Sequence, residues 1–193
     1  VGRKSRVERI TSETSITLSL DLDGEGKGKI STPVGFLNHM LQTLACHSGM
    51  NLEVDAQGDV DVDYHHLVED MGIVLGEALD KGLGDKGGIE RFGEALVPMD
   101  EALAQVALDL SGREHLFFSA TFPAYKVGDF DTELIQEFFQ GVVRGSKMTL
   151  HIRLLKGDNS HHAIEAIFKA FARALRQAVR VGEGDIPSTK GVL

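Results

Sequence analysis

Asp63-Tyr64-His65-His66-Leu67-Val68-Glu69 and Asn159-Ser160-His161-His162-Ala163-Ile164-Glu165 are one phrase written twice, 96 residues apart. Half of the chain's eight histidines sit in these two words. Paired histidines followed by a glutamate are rare by chance, and a second copy in matched context is rarer. Imidazole and carboxylate together bind first-row transition metals, so the repetition predicts two metal sites. On a helix, residues i and i+4 share a face, which aligns His65 with Glu69 and His161 with Glu165. The second histidine of each pair lies roughly 100° further round and suits a different ion. A polar helix end that only caps and solvates is the plainer reading, and it leaves the repetition unexplained.

Both words open helices. Asp63 and Asn159 precede them and are favoured N-cap types. After Asn159, apolar residues fall at Ile164, Ile167, Phe168, Phe171, Leu175 and Val179, the spacing of a helix with one buried face. His161, Glu165 and Lys169 form a separate polar stripe. After Asp63 the helix runs through Val68, Met71, Leu75 and Leu79 toward Gly82 and Gly84. The duplication reaches further. Ser19-Leu20-Asp21-Leu22-Asp23-Gly24 resembles Ala107-Leu108-Asp109-Leu110-Ser111-Gly112 at an offset of 88, which also lays Glu13 on Glu101. Helical runs over 35–47 and 132–145 place His39 opposite Glu137, and strand candidates follow at 51–56 and 148–155. Strands, helix, strand, helix, written twice, predict an α+β fold: one domain of two pseudo-symmetric halves from internal duplication, about 1–86 and 87–193.

Composition narrows the classes. The chain has no run of 18 apolar residues and no signal-peptide pattern, so it is expected to be soluble and cytoplasmic. The lone Cys46 excludes an internal disulfide and, among apolar neighbours, reads as a buried small residue. A net charge of −9, no tryptophan and no basic cluster argue against nucleic acid as a partner. An acidic chain that handles an anion must gather its cations locally. Arg91 and Arg113 follow glycine-containing turns, and Pro187-Ser188-Thr189-Lys190-Gly191 sets a lysine beside hydroxyls. Arginine forks and such a lysine suit a phosphate, although each taken singly is more often a surface charge. His115 and His151 read as ordinary strand residues. Glu13, in Arg9-Ile10-Thr11-Ser12-Glu13-Thr14, reads by itself as a solvated strand glutamate.

These stretches, with Phe36-Leu37-Asn38-His39-Met40-Leu41, His47-Ser48-Gly49, Gly88-Ile89-Glu90-Arg91-Phe92-Gly93 and Phe168-Lys169-Ala170-Phe171-Ala172-Arg173-Ala174-Leu175, cover nearly the whole chain. In their order they resemble the imidazoleglycerol-phosphate dehydratase family of histidine biosynthesis. The resemblance implies halves that are each a four-stranded sheet packed on a helix pair, a fold like ribosomal protein S5 domain 2. It implies a homo-oligomer of 24 subunits built from trimers, with two Mn2+ per active site where subunits meet. By position the metal ligands would be His39, His65, His66, Glu69, Glu137, His161, His162 and Glu165. Many family members carry histidine where Glu137 stands; a glutamate is a harder donor that suits manganese. Glu13 would be the acid/base group and contact substrate, with Glu165 assisting. His47 and Lys169 would lie near the substrate, and Arg91, Arg113, Ser188 and Lys190 would hold its phosphate.

The implied reaction is dehydration of imidazoleglycerol phosphate to imidazole acetol phosphate. The proton to be lost sits on a carbinol carbon and is barely acidic. The expected route uses a dimanganese-stabilised imidazolate that expels hydroxide and leaves a diazafulvene-like intermediate. Two other classes compete: a dinuclear metal hydrolase, betrayed by activity on esters or amides alone, and a metal-dependent structural assembly that binds no phosphorylated imidazole.

Overall fold

The computed structural model describes residues 2–182, 185–191 and 193. Alternating burial builds the strands of the first half. β1 (Lys4–Ile10) pairs antiparallel with β2 (Thr14–Asp21), where Thr14, Ile16, Leu18 and Leu20 point inward and the residues between them do not. β3 (Gly28–Ser31), α1 (Gly35–Ser48), β4 (Asn51–Gly58) and α2 (His65–Leu83) complete this half. The sheet order is β1-β2-β4-β3, with only β3 parallel to its neighbour.

The second half repeats the plan. β5 (Phe92–Met99), β6 (Ala102–Asp109) and β7 (His115–Ser119) are followed by a hairpin of β8 (Lys126–Val127) and β9 (Phe130–Asp131). Then come α3 (Leu134–Ser146), β10 (Thr149–Lys156) and α4 (Ser160–Ala178). The order β5-β6-β10-β7, with β7 parallel to β10, has the topology of the first sheet. The α+β architecture with a repeated half is thus present. The helical run expected from 132 starts at Leu134 instead, because Phe130 and Asp131 belong to the hairpin, which the first half lacks.

The four helices lie between the sheets, α2 on α3 and α1 on α4. Gly72 and Gly76 on α2 meet Gly141 and Gly145 on α3. A Cβ on Gly76 would stand 2.3 Å from the Val142 carbonyl oxygen, and one on Gly145 2.3 Å from that of Ile73. The two backbones touch, and any side chain would force them apart. Gly76→Ala should therefore cost about 1–3 kcal/mol or more, read as a lower urea midpoint; an unchanged midpoint would show that the helices separate freely.

These contacts also make α2 and α3 parallel. The hairpin ties the N-terminal end of α2 to that of α4: Tyr64 Oη donates to Asp129 Oδ2 at 2.5 Å, and Ala124 N donates to Ser160 Oγ at 3.0 Å. At the other end Arg3 Nη1 donates to the carbonyl of Val179 at 2.6 Å. The molecule therefore has one pole where helices begin and another where they end.

Asn159 caps α4 as expected, its Oδ1 accepting from His162 N at 3.1 Å. Asp63 departs from expectation: the backbone cap of α2 is Tyr64, and Asp63 Oδ1 accepts from His65 N at 2.8 Å from one position earlier. An aspartate reaching two residues along the chain still satisfies one of the helix's orphan donors. Cys46 is exposed, not buried. Leu37, Met40, Leu41, Leu44 and Ser48 form the buried face of α1, and Cys46 lies roughly 200° round from Leu44. Among the described residues no helix is long and apolar enough to cross a membrane.

Candidate functional site

The N-terminal pole gathers the histidines. α1 presents His39 to α4, whose first turns place His161 and Glu165 on one face. His39 Nε2 and His161 Nε2 stand 3.3 and 3.2 Å from the same atom, Glu165 Oε2. Glu165 is only 8% exposed. Its Oε1 meets Lys169 Nζ at 2.9 Å, and that lysine also reaches Met99 Sδ at 3.2 Å. Burial alone would raise the Glu165 carboxyl; the Lys169 ammonium and then His39 outweigh it and hold the group below the usual carboxylate range. Two imidazole nitrogens and a carboxylate oxygen converging on one point are a fitting donor set for a divalent first-row ion.

The first word splits as the helix period requires. His65 Nε2 faces Glu69 Oε2 at 3.6 Å, while Glu69 Oε1 accepts from Arg144 Nη1 at 3.2 Å. His66 Nδ1 turns away to Asp59 Oδ2 at 2.8 Å, with Glu13 Oε2 at 3.6 Å. These last three lie close enough together either to share a cation or to form a hydrogen-bonded trio in which His66 Nδ1–H donates to Asp59. His162 behaves like His66: its Nδ1 meets Glu101 Oε2 at 2.9 Å. Asp59 and Glu101 push the two imidazoles above their ordinary value, and His162 lowers Glu101. Glu13 rides on a fixed turn. Its N–H donates to Thr11 Oγ1 at 3.1 Å, and beside it Thr14 Oγ1 donates to Asp70 Oδ2 at 2.5 Å, a carboxylate paired with Arg9 at 3.0 Å.

One chain therefore unites His39 with His161 and Glu165, His65 with Glu69, and His66 with Glu13. It does not bring His162 or Glu137 into either group. Glu137, in the first turn of α3, has no hydrogen-bond or ionic partner among the described residues. Asp59, Arg144 and the engagement of Glu101 escaped sequence reasoning. Only Glu101 carried a signal, its offset of 88 from Glu13.

The opposite pole holds the cations. Arg91, in a left-handed backbone conformation (φ 70°), puts Nε and Nη2 on Asp109 at 2.7 and 3.1 Å and Nη1 on the Pro187 carbonyl at 2.7 Å. Arg113 is 67% exposed beside the same aspartate. With Ser188, Thr189 and Lys190 these arginines line a cavity of about 600 Å³, so the four residues expected at a phosphate do converge. His47 lies apart from them, in a smaller cavity with Arg173, Arg176 and Arg180. Burial, then Lys169 and Arg173, lower its pKa and favour the neutral ring. A cleft of about 650 Å³ on the outer face of the first sheet has its Lys4 and Lys29 already paired with Asp21 and Glu53, and no imidazole lines it.

Imidazole–carboxylate clusters repeated on duplicated halves offer donor sets able to hold divalent ions, and the cationic cavity at the other pole offers donors to an anion. The profile of the family described as imidazoleglycerol-phosphate dehydratase matches residues 32–175. The chain is 55% identical over 196 residues to the imidazoleglycerol-phosphate dehydratase of Geobacter metallireducens, covering 100% of both. It is 56% identical over 195 residues to that of Granulibacter bethesdensis, covering 99% of both. The crystal structure of the Staphylococcus aureus dehydratase matches with a TM-score of 0.85 at 45% identity, over 93% of this chain and 99% of that one. The Pyrococcus furiosus structure, a complex with (S)-C348, matches with a TM-score of 0.85 at 40% identity, over 97% and 100%. The chain belongs to the imidazoleglycerol-phosphate dehydratase family, hydro-lyases of histidine biosynthesis.

Proposed function

We propose that the protein converts imidazoleglycerol phosphate into imidazole acetol phosphate with two manganese ions per active site, as a cytoplasmic assembly of 24 copies built from trimers. The observation that carries the reading is the separation of the two poles. Arg91 and Asp109 flank one end of the β5–β6 hairpin, and Glu101 with His162 lies at the other. Eight-residue strands set these ends roughly 23 Å apart. A substrate with three carbons between ring and phosphate is far shorter. A ring held at the histidine pole of one copy needs its phosphate gripped by the cationic pole of another, which is a reason to assemble.

His39, His65, His66, Glu69, Glu137, His161, His162 and Glu165 would hold the ions. Bound manganese supplies Lewis-acid stabilisation of negative charge on the substrate's imidazole. Glu137, with no partner among the described residues, and Glu69, shared with Arg144, are carboxylates that such a cation would neutralise. Lys169 keeps Glu165 ionised and ready as a ligand. In the overall reaction hydroxide leaves the carbon beside the ring and departs as water. A proton leaves the next carbon, and the resulting enol takes a proton on the ring-side carbon to become the ketone. Glu13 is the group for those proton movements: its carboxylate is half exposed and, among the described residues, held by no short hydrogen bond, on a turn fastened through Thr11.

At the cationic pole Arg91 commits three of its five donors to Asp109 and Pro187 and so ties the tail to the strand end, leaving two for a phosphate. Arg113 has its fork largely free, with Ser188 and Lys190 alongside. Gripping the phosphate aligns the breaking C–O bond. Arg113→Ala should raise KM at least about tenfold, and an unchanged KM would put the phosphate elsewhere. The split itself is tested by co-assembling Arg113→Ala with Glu13→Gln, two variants impaired at opposite poles. Mixed particles should regain activity at up to about a quarter of their sites, whereas a site built within one chain would regain none.

A further inference from the structure

Duplication gave the molecule two equivalent glutamates. Glu13 immediately precedes β2 and Glu101 immediately precedes β6, each facing Nδ1 of the second histidine in its half. Their surroundings differ. Glu101 is fully occupied: Oε2 lies 2.9 Å from His162 Nδ1, and Oε1 accepts from Asn159 N at 2.9 Å. Glu13 stays 3.6 Å from His66 Nδ1, with half of its side chain in solvent.

The difference traces to the link before each histidine helix. Gly58 and His65 are seven positions apart, Gly157 and His161 only four. The longer link carries Asp59 onto His66 Nδ1 at 2.8 Å, and Asp59 N donates to the Glu13 carbonyl at 3.1 Å, fastening the aspartate to the glutamate's own turn. Asp158 in the shorter link faces Lys156 at 3.8 Å and is 73% exposed. Among the described residues only the first half's histidine has two carboxylates at Nδ1; the second carboxylate near His162, that of Asp100, lies 3.8 Å from the other ring nitrogen, Nε2.

We propose that Asp59 and Glu101 are the orienting carboxylates of His66 and His162, and that Asp59, by doing for His66 what Glu101 does for His162, releases Glu13 to meet the substrate. This deepens the manganese-dehydratase reading and rests on it. A carboxylate on Nδ1 holds the proton there, fixes the ring and aims the Nε2 lone pair at a metal. Without Asp59, the nearest acceptor for that Nδ1–H is Glu13. Taking up the bond would withdraw the glutamate from chemistry, so Asp59 is a positioning residue that acts through it.

The test uses the full assembled protein, with Mn2+ binding read from the EPR signal of the free aquo ion beside kcat and KM. Asp59→Ala should bind manganese within about threefold of the wild type, because Glu13 substitutes, while kcat falls at least about 100-fold at near-constant KM. Asp59→Asn, whose Oδ1 still accepts from Nδ1–H, should recover most of that loss. Glu101→Ala leaves no second carboxylate at His162 Nδ1 among the described residues, Asp100 lying by Nε2, and should lose about 10–100-fold in affinity for one of its two ions. The double variant Asp59→Ala/Glu13→Ala should lose it likewise. Asp59→Ala with kcat within about threefold of wild type, or with manganese affinity as poor as that of Glu101→Ala, would overturn the proposal, as would an Asp59→Asn as slow as the alanine. A wild type that shows no manganese-dependent turnover would overturn the dehydratase reading itself.

Discussion

Replacing Glu13 by glutamine should leave KM for imidazoleglycerol phosphate within a few-fold and lower kcat by about 10²–10⁴-fold. The change is isosteric at a half-exposed side chain that makes no short side-chain hydrogen bond among the described residues, so neither fold nor core is disturbed. The turn that carries it stays anchored through Thr11, Thr14 and Asp70, whose bonds go to the backbone and to other side chains. What is lost is a group able to accept and return a proton. Steady-state kinetics at matched manganese occupancy decides the matter, and near-normal kcat removes Glu13 from the role.

The second large effect belongs to Glu165. His39 and His161 converge on one of its oxygens and Lys169 on the other, so a single carboxylate organises three side chains. Glu165→Gln places a neutral amide there, leaves the Lys169 ammonium without its counter-charge in a mostly buried site, and removes a hard donor. We expect manganese content to fall from two ions per chain to one and kcat to drop at least about 10³-fold, because the metal and the acid/base chemistry fail together. Elemental analysis of the purified variant supplies the first number. Two ions bound with ordinary turnover would remove Glu165 from the ligand set.

The chain displayed much of this on its surface. Two histidine words at a fixed offset, each behind an aspartate or asparagine, announced two helices, two halves and two imidazole–carboxylate faces, and α2, α4 and the paired sheets follow. The stripe of His161, Glu165 and Lys169 became a chain of contacts because helix geometry alone dictates it. Features that depend on meeting at a distance were not legible. Nothing in Asp59-Val60-Asp61-Val62-Asp63 marks which aspartate will reach His66, since the choice depends on how a loop three residues longer than its counterpart folds. Strands of two residues, as in the β8–β9 hairpin, are too short to show a period. Cys46 is exposed despite its apolar sequence neighbours because neighbours in sequence are not neighbours on a helix face. The sorting of histidines and cations to opposite poles is likewise a property of the hairpin's length in space, and it is what turns a list of candidate ligands into an argument for assembly.

The most direct measurement of the central claim is dehydration of imidazoleglycerol phosphate by metal-stripped protein, before and after manganese is restored, with imidazole acetol phosphate followed as it forms. The account predicts no product without metal and full turnover once manganese returns. Absence of product with manganese and with every other divalent ion tried would contradict it, and would leave the twin histidine words as metal sites serving a different substrate.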